Sequence, residues 1–160
     1  MASIQQGRFT AQLDESGAVV FLIGMRFNAL RRLDQWWPTA TAMPKMLRHL
    51  ESQPDAGLLG YRQWLGRTTI LLSYWRSAEH LQRFASDPNA PHAPAWRAYQ
   101  RRLRKASVGV WHETYVVRPG QYEAVYVDMP LFGLAAATHS VAVGEGNRTA
   151  KQRLAGVGTQ

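Results

Sequence analysis

Cysteine is absent from the 160 residues, which removes disulfides, thiolate nucleophiles and every sulfur-based metal site. Long apolar runs are missing too. The longest, residues 18–25, falls far short of the roughly 20 residues a membrane-spanning helix needs. Residues 1–10 are polar and lack the apolar core of a secretory signal, so the sequence predicts a soluble, cytoplasmic protein. No His-x-x-x-His or Glu-x-x-His pair suggests a metal site on a helix, and neither Gly-x-Gly-x-x-Gly nor a Walker-type loop offers a phosphate cradle. Acids are scarce: 11 stand against 19 lysines and arginines, for a formal charge of +8. Such a charge favours nucleic acid or an anionic surface in general. The densest basic cluster, 97–105, instead fits the solvated face of one helix, and no zinc-finger, helix-turn-helix or basic-aromatic pattern accompanies it. No specific nucleic-acid partner and no membrane span are therefore expected.

The apolar fraction of 46% and the length suit one domain, expected at 17–135 between a polar lead-in at 1–16 and a flexible tail at 136–160. Residues 8–13 suggest a short edge strand. Residues 18–27 are nearly continuous in apolar side chains, as in a central strand covered on both faces. Leu30, Leu33, Trp36 and Trp37 form a short amphipathic helix that Pro38 is expected to stop. Thr41 then caps a second helix reaching Gln53, with Met43, Met46, Leu47 and Leu50 at helical spacing. Strands at 58–64 and 68–75 make a hairpin, Ser77 caps a helix through Leu81 and Phe84, and Pro94 opens another through Trp96, Tyr99 and Leu103. Strand 68–75 carries apolar residues on both of its faces. Cover on the helix-free side would come from a second sheet across a dimer, leaving an apolar chamber.

Residues 109–134 hold two aromatic and β-branched runs around Arg118-Pro119-Gly120-Gln121, which predicts a hairpin. Pairing Val117 with Tyr122 would set Glu113 opposite Tyr126. Strand alternation sends His112 and Glu113 to opposite faces, so they cannot form a dyad.

The segments Tyr74-Trp75-Arg76-Ser77, Glu79-His80-Leu81, Phe84-Ala85, His92, Ala95-Trp96, Trp111-His112-Glu113-Thr114-Tyr115, Tyr122-Glu123, Tyr126, Met129-Pro130 and Gly133-Leu134 occur in that order. Together they resemble a monooxygenase-like family once known only as a domain of unknown function, which is similar to the antibiotic-biosynthesis monooxygenases. The resemblance covers about residues 8–135. It implies an α+β fold, a ferredoxin-like dimeric α+β barrel with an antiparallel sheet and helices on one face. It also implies a homodimeric monooxygenase, an oxidoreductase that acts without a cofactor on an apolar, aromatic or polyketide-like metabolite. Haem enzymes of the aldoxime-dehydratase kind belong to related barrels, so a haem with one axial histidine, His112 or His92, is the alternative. A ligand-binding module without catalysis is the non-enzyme alternative.

His112 is the candidate acid–base group, because an imidazole on a strand facing a chamber can take a proton from an enol or phenol. Glu113, flanked by Trp111 and Tyr115, is read either as a buried carboxylate or as the partner of Arg62 or Arg76, and with Tyr126 it would orient substrate. His92, Trp37, Trp75, Trp96 and Trp111 are the candidate substrate-binding residues, although rings of this size usually fill cores.

Overall fold

Along the chain come β1 (Gln5–Gln12), β2 (Ala18–Phe27), α1 (Leu33–Glu51), β3 (Leu58–Trp64), β4 (Ile70–Trp75), α2 (Ala78–Ser86), β5 (Val108–Val117), β6 (Tyr126–Met129), α3 (Gly133–Ala137), β7 (His139–Ala142) and α4 (Ala150–Leu154). The computed structural model describes residues 3–91, 93, 94, 97, 100 and 107–155, without the side chains at 33, 35, 38, 39 and 42. His92, Trp96 and most of the basic segment 97–105 lie outside the described residues.

Four antiparallel strands form one sheet in the order β3-β4-β2-β5. The apolar run of β2 places it inside this sheet, paired along its length with β5 and with β4. Strand alternation then gives β2 two buried faces. Val19 packs with Trp75, Leu50 and Leu81 under α1 and α2. Ala18 packs with Tyr74, Ala11, Leu13, Leu134 and Ala135 on the opposite side. This strand order, with helices on one face, is the ferredoxin-like α+β arrangement. The expected hairpin of β3 and β4 is present, and Ser77 caps α2 by accepting the His80 N–H.

Four expectations need correction. First, α1 runs unbroken through Pro38 and Pro44. Proline costs one backbone hydrogen bond, and the buried stripe of Leu47 and Leu50 with half-buried Met46 offsets it. Thr41 is accordingly no cap; its hydroxyl donates to the Trp37 carbonyl at 3.1 Å, one helical turn back.

Second, the hairpin at 109–134 does not form. The tight turn exists, with the Gln121 N–H donating to the Arg118 carbonyl at 3.0 Å. Beyond it the chain leaves the first sheet, because the Tyr122 hydroxyl is held by Ala11 and Leu13: it donates to the Ala11 carbonyl at 2.9 Å and accepts the Leu13 N–H at 3.1 Å. Tyr126 consequently pairs with Phe9 and not with Glu113. Third, β1 is the centre of a second sheet, β6-β1-β7, and not an edge.

Fourth, the segment expected to be a flexible tail contains β7, which pairs with β1 from Phe9↔Ala142 to Gln12↔His139. It also contains α4, whose Arg153 is buried and ion-paired with Glu123. Small residues at 136–142 gave no periodicity to read, whereas the backbone ladder and one buried cation are what order the segment. The second sheet and α3 cover the Tyr74 end of the helix-free face, so part of the cover expected from a second copy comes from this chain.

Candidate active site on the helix-bearing face

Register decides which side chains share a face. Ile23 stands opposite both His112 and Leu71, and Phe21 stands opposite both Thr114 and Ser73. Alternation therefore puts Val19, Phe21, Ile23, Met25, Leu71, Ser73, Trp75, Val110, His112 and Thr114 on the helix-bearing face. Among the residues that β2, β4 and β5 place there, His112 is the one side chain able to take up a proton near neutral pH. Its imidazole is exposed, and its ring centre lies 5.9 Å from that of half-buried Phe21, tilted by 45°. At the end of the same face, Phe27 meets Trp36 at 4.8 Å, and Trp36 in turn meets Trp37 at 5.9 Å. The result is an apolar floor with a single proton acceptor at its β5 margin.

Glu113, opposite Leu22, points to the other face, as strand alternation requires. It is neither buried nor, among the described residues, paired with an arginine such as Arg62 or Arg76. It is exposed and accepts the Tyr115 hydroxyl at 2.7 Å, which raises that phenol above its ordinary value. Trp111 shares this face; Gly24 stands opposite it, and a β-carbon at Gly24 would lie 2.7 Å from the indole nitrogen. That nitrogen is enclosed and has no hydrogen-bond partner among the described residues. Tyr126 belongs to the second sheet, where its oxygen accepts the Ala135 N–H at 3.4 Å and burial raises its phenol. His112, Glu113 and Tyr126 are thus not brought together.

Trp75 is enclosed in the core at 2% exposure, stacked near Phe84 at 5.5 Å, with its indole N–H donating to the Ser73 hydroxyl at 3.0 Å. Trp37 is 60% exposed on α1. A recess of about 490 Å³ runs along β3 between Leu50, Pro54, Leu58 and Tyr61. It is open, carries the Tyr61 hydroxyl bonded to Glu51 at 2.7 Å, and lies at the opposite sheet edge from His112, so it has no part in the site. Among the described residues no cluster of three or more His, Asp and Glu could hold a metal ion, and no helix is long and apolar enough to cross a membrane. Phe21 and Ile23 escaped the sequence reading, because only the β2–β5 register shows that they flank His112.

The architecture is that of the ferredoxin-like α+β barrels, and a solved aldoxime dehydratase (OxdRE), in complex with butyraldoxime, shares it. The two superpose with a TM-score of 0.62 at 15% identity, over 93% of this chain and 43% of that one. A second aldoxime dehydratase structure superposes at 0.57 and 16% identity, over 93% and 45% of the two chains. SnoaB, a cofactor-independent oxygenase from Streptomyces nogalater, overlays at only 0.45 and 13% identity, over 64% and 94%. Residues 18–134 match the family described as monooxygenase af470-like, and the chain belongs to that family. Monooxygenase af470 of Aspergillus fumigatus is 28% identical to it over 156 residues, which cover 80% of this chain and 53% of the relative. The chain spans about half the length of that curated relative.

Proposed function

We propose that this protein is a cofactor-independent monooxygenase for an apolar, aromatic or polyketide-like metabolite, with His112 as its general base. The observation that carries the reading is the position of His112, the one proton acceptor that β2, β4 and β5 place beside Phe21, Ile23 and Met25. A flat substrate resting on that floor would present a phenol or enol to the imidazole. Loss of its proton makes an electron-rich anion that reacts with dioxygen. One oxygen atom enters the substrate and the other leaves as water, with the substrate supplying the electrons for both. Glu113 and Tyr126, on the other side of the sheet, are left out of this proton step. Family membership supports the reaction class. We also place the protein in the cytoplasm as a homodimer, its second copy meeting the β5 side of the helix-free face, where Tyr115 is 52% exposed.

The test is turnover of polycyclic phenols under isotope-labelled dioxygen. Label should enter the product, and His112→Ala should lower turnover by about 100-fold or more. Full activity in His112→Ala would sink the base assignment. A haem reading uses the same imidazole, since a haem iron takes one axial histidine, and the exposed His112 imidazole beside Phe21 is free to take that role. In that reading, an enzyme of the aldoxime-dehydratase kind, His112 would hold the iron, and the haem would supply Lewis-acid chemistry. An absorbance spectrum of the purified protein separates the two: a Soret band lost in His112→Ala selects haem, and its absence selects the cofactor-free reading.

A further inference from the structure

Tyr74 and Tyr126 come from different sheets, and their hydroxyls converge on Gly133. A β-carbon there would lie 3.0 Å from the Tyr126 oxygen and 3.2 Å from the Tyr74 oxygen. Glycine, at φ +59°, lets both hydroxyls close on its α-carbon, where a side chain would crowd them. The Tyr126 oxygen accepts the Ala135 N–H, which leaves its own O–H proton unspent. Tyr74 has no hydrogen-bond partner among the described residues. Tyr74 is 8% exposed, and its oxygen is not among the fully enclosed, partnerless atoms of the described residues. Burial raises both phenols, Tyr74 to about 12, and keeps both as donors at neutral pH.

A cation stands beside them. Arg62 of β3 stands opposite Leu72, on the face that carries Tyr74, where its charge works against the rise of that phenol, and its guanidinium carbon lies 5.6 Å from the centre of the Phe132 ring. One of its nitrogens donates to the Tyr61 carbonyl at 3.1 Å, and among the described residues it makes no ion pair with a carboxylate. Trp64, 45% exposed, meets the same Phe132 ring edge-on at 6.3 Å. Two unspent hydroxyl donors and a guanidinium are complementary to a group that only accepts hydrogen bonds and carries negative charge. The adjoining rings are complementary to a flat apolar body.

We propose that Tyr74, Tyr126 and Arg62 form a binding subsite for the carboxylate of a small aromatic acid, whose ring rests on Phe132 and Trp64. The subsite is on the opposite face of the sheet from His112 and does not depend on the oxygenase reading. Benzoate titrated into the full chain, followed by calorimetry and tryptophan fluorescence, tests it. Saturable binding is expected, weakened about tenfold or more both in Arg62→Gln and in the Tyr74→Phe, Tyr126→Phe double variant. Those changes keep the rings and touch an exposed arginine, so the fold should survive, with thermal unfolding as the control. Absence of saturable benzoate binding, equal affinity in the double variant, or equally tight binding of benzyl alcohol would each overturn the proposal.

Discussion

Gly24 shows how one missing side chain shapes the helix-free face. A β-carbon at this position would come within 1.9 Å of the Thr69 carbonyl oxygen and 2.7 Å of the Trp111 indole nitrogen. Backbone on one side and a ring on the other leave nothing that can yield cheaply. Gly24→Ala should therefore destabilise the fold by about 3 kcal/mol, read as a lower urea midpoint. A change under about 1 kcal/mol would mean that β2 shifts to make room. Tyr74 gives a second residue-scale outcome. Its folded value of about 12 lies above the unfolded value of 10, so the protonated phenol favours the folded state. That contribution is present below pH 10 and lost as pH rises toward 12. Urea unfolding across this window should decline more steeply for the wild type than for Tyr74→Phe. Alternation alone was enough to separate His112 from Glu113. It could not show that Glu113 is exposed or that Tyr126 is remote, because both follow from where the next strand goes.

Elements disagree with local propensity where a buried face outweighs it. Proline favours a stop at residue 38, yet α1 continues, because Leu47 and Leu50 are buried on one side of it. Composition favours a loose end after 136, yet β7 and α4 are ordered by contacts with segments far away in the chain. The Arg153 guanidinium is buried, donates to the Asn147 and Arg148 carbonyls at 2.9 Å each, and pairs with Glu123. Arg153→Met should cost about 2 kcal/mol, since Glu123 and two carbonyls lose a charged donor, a figure discounted because Glu123 keeps partial solvent contact. Limited proteolysis should then cut within 139–155 faster than in the wild type. Unchanged cleavage would show that the β1–β7 ladder suffices to hold the segment.

For the whole molecule, the second sheet covers the Tyr74 end of the helix-free face and leaves the β5 side open. If a second copy closes that side, light scattering will report twice the 18.0 kDa chain mass. Replacing Tyr115, which β5 presents on that face, with lysine should return the mass to one chain, without loss of secondary structure by circular dichroism. A single-chain mass for the wild type would remove the dimer from the proposal. By itself the sequence determined the central strand, the β3–β4 hairpin, the Ser77 cap and the separation of His112 from Glu113. Each of these follows from side-chain period or from a hydrogen bond between near neighbours. Only the tertiary structure decided that the 109–134 stretch divides between two sheets, that β1 is a centre and not an edge, and that Phe21 and Ile23 flank His112. Those outcomes depend on which distant strand supplies the next backbone partners, and a one-dimensional pattern does not record that choice.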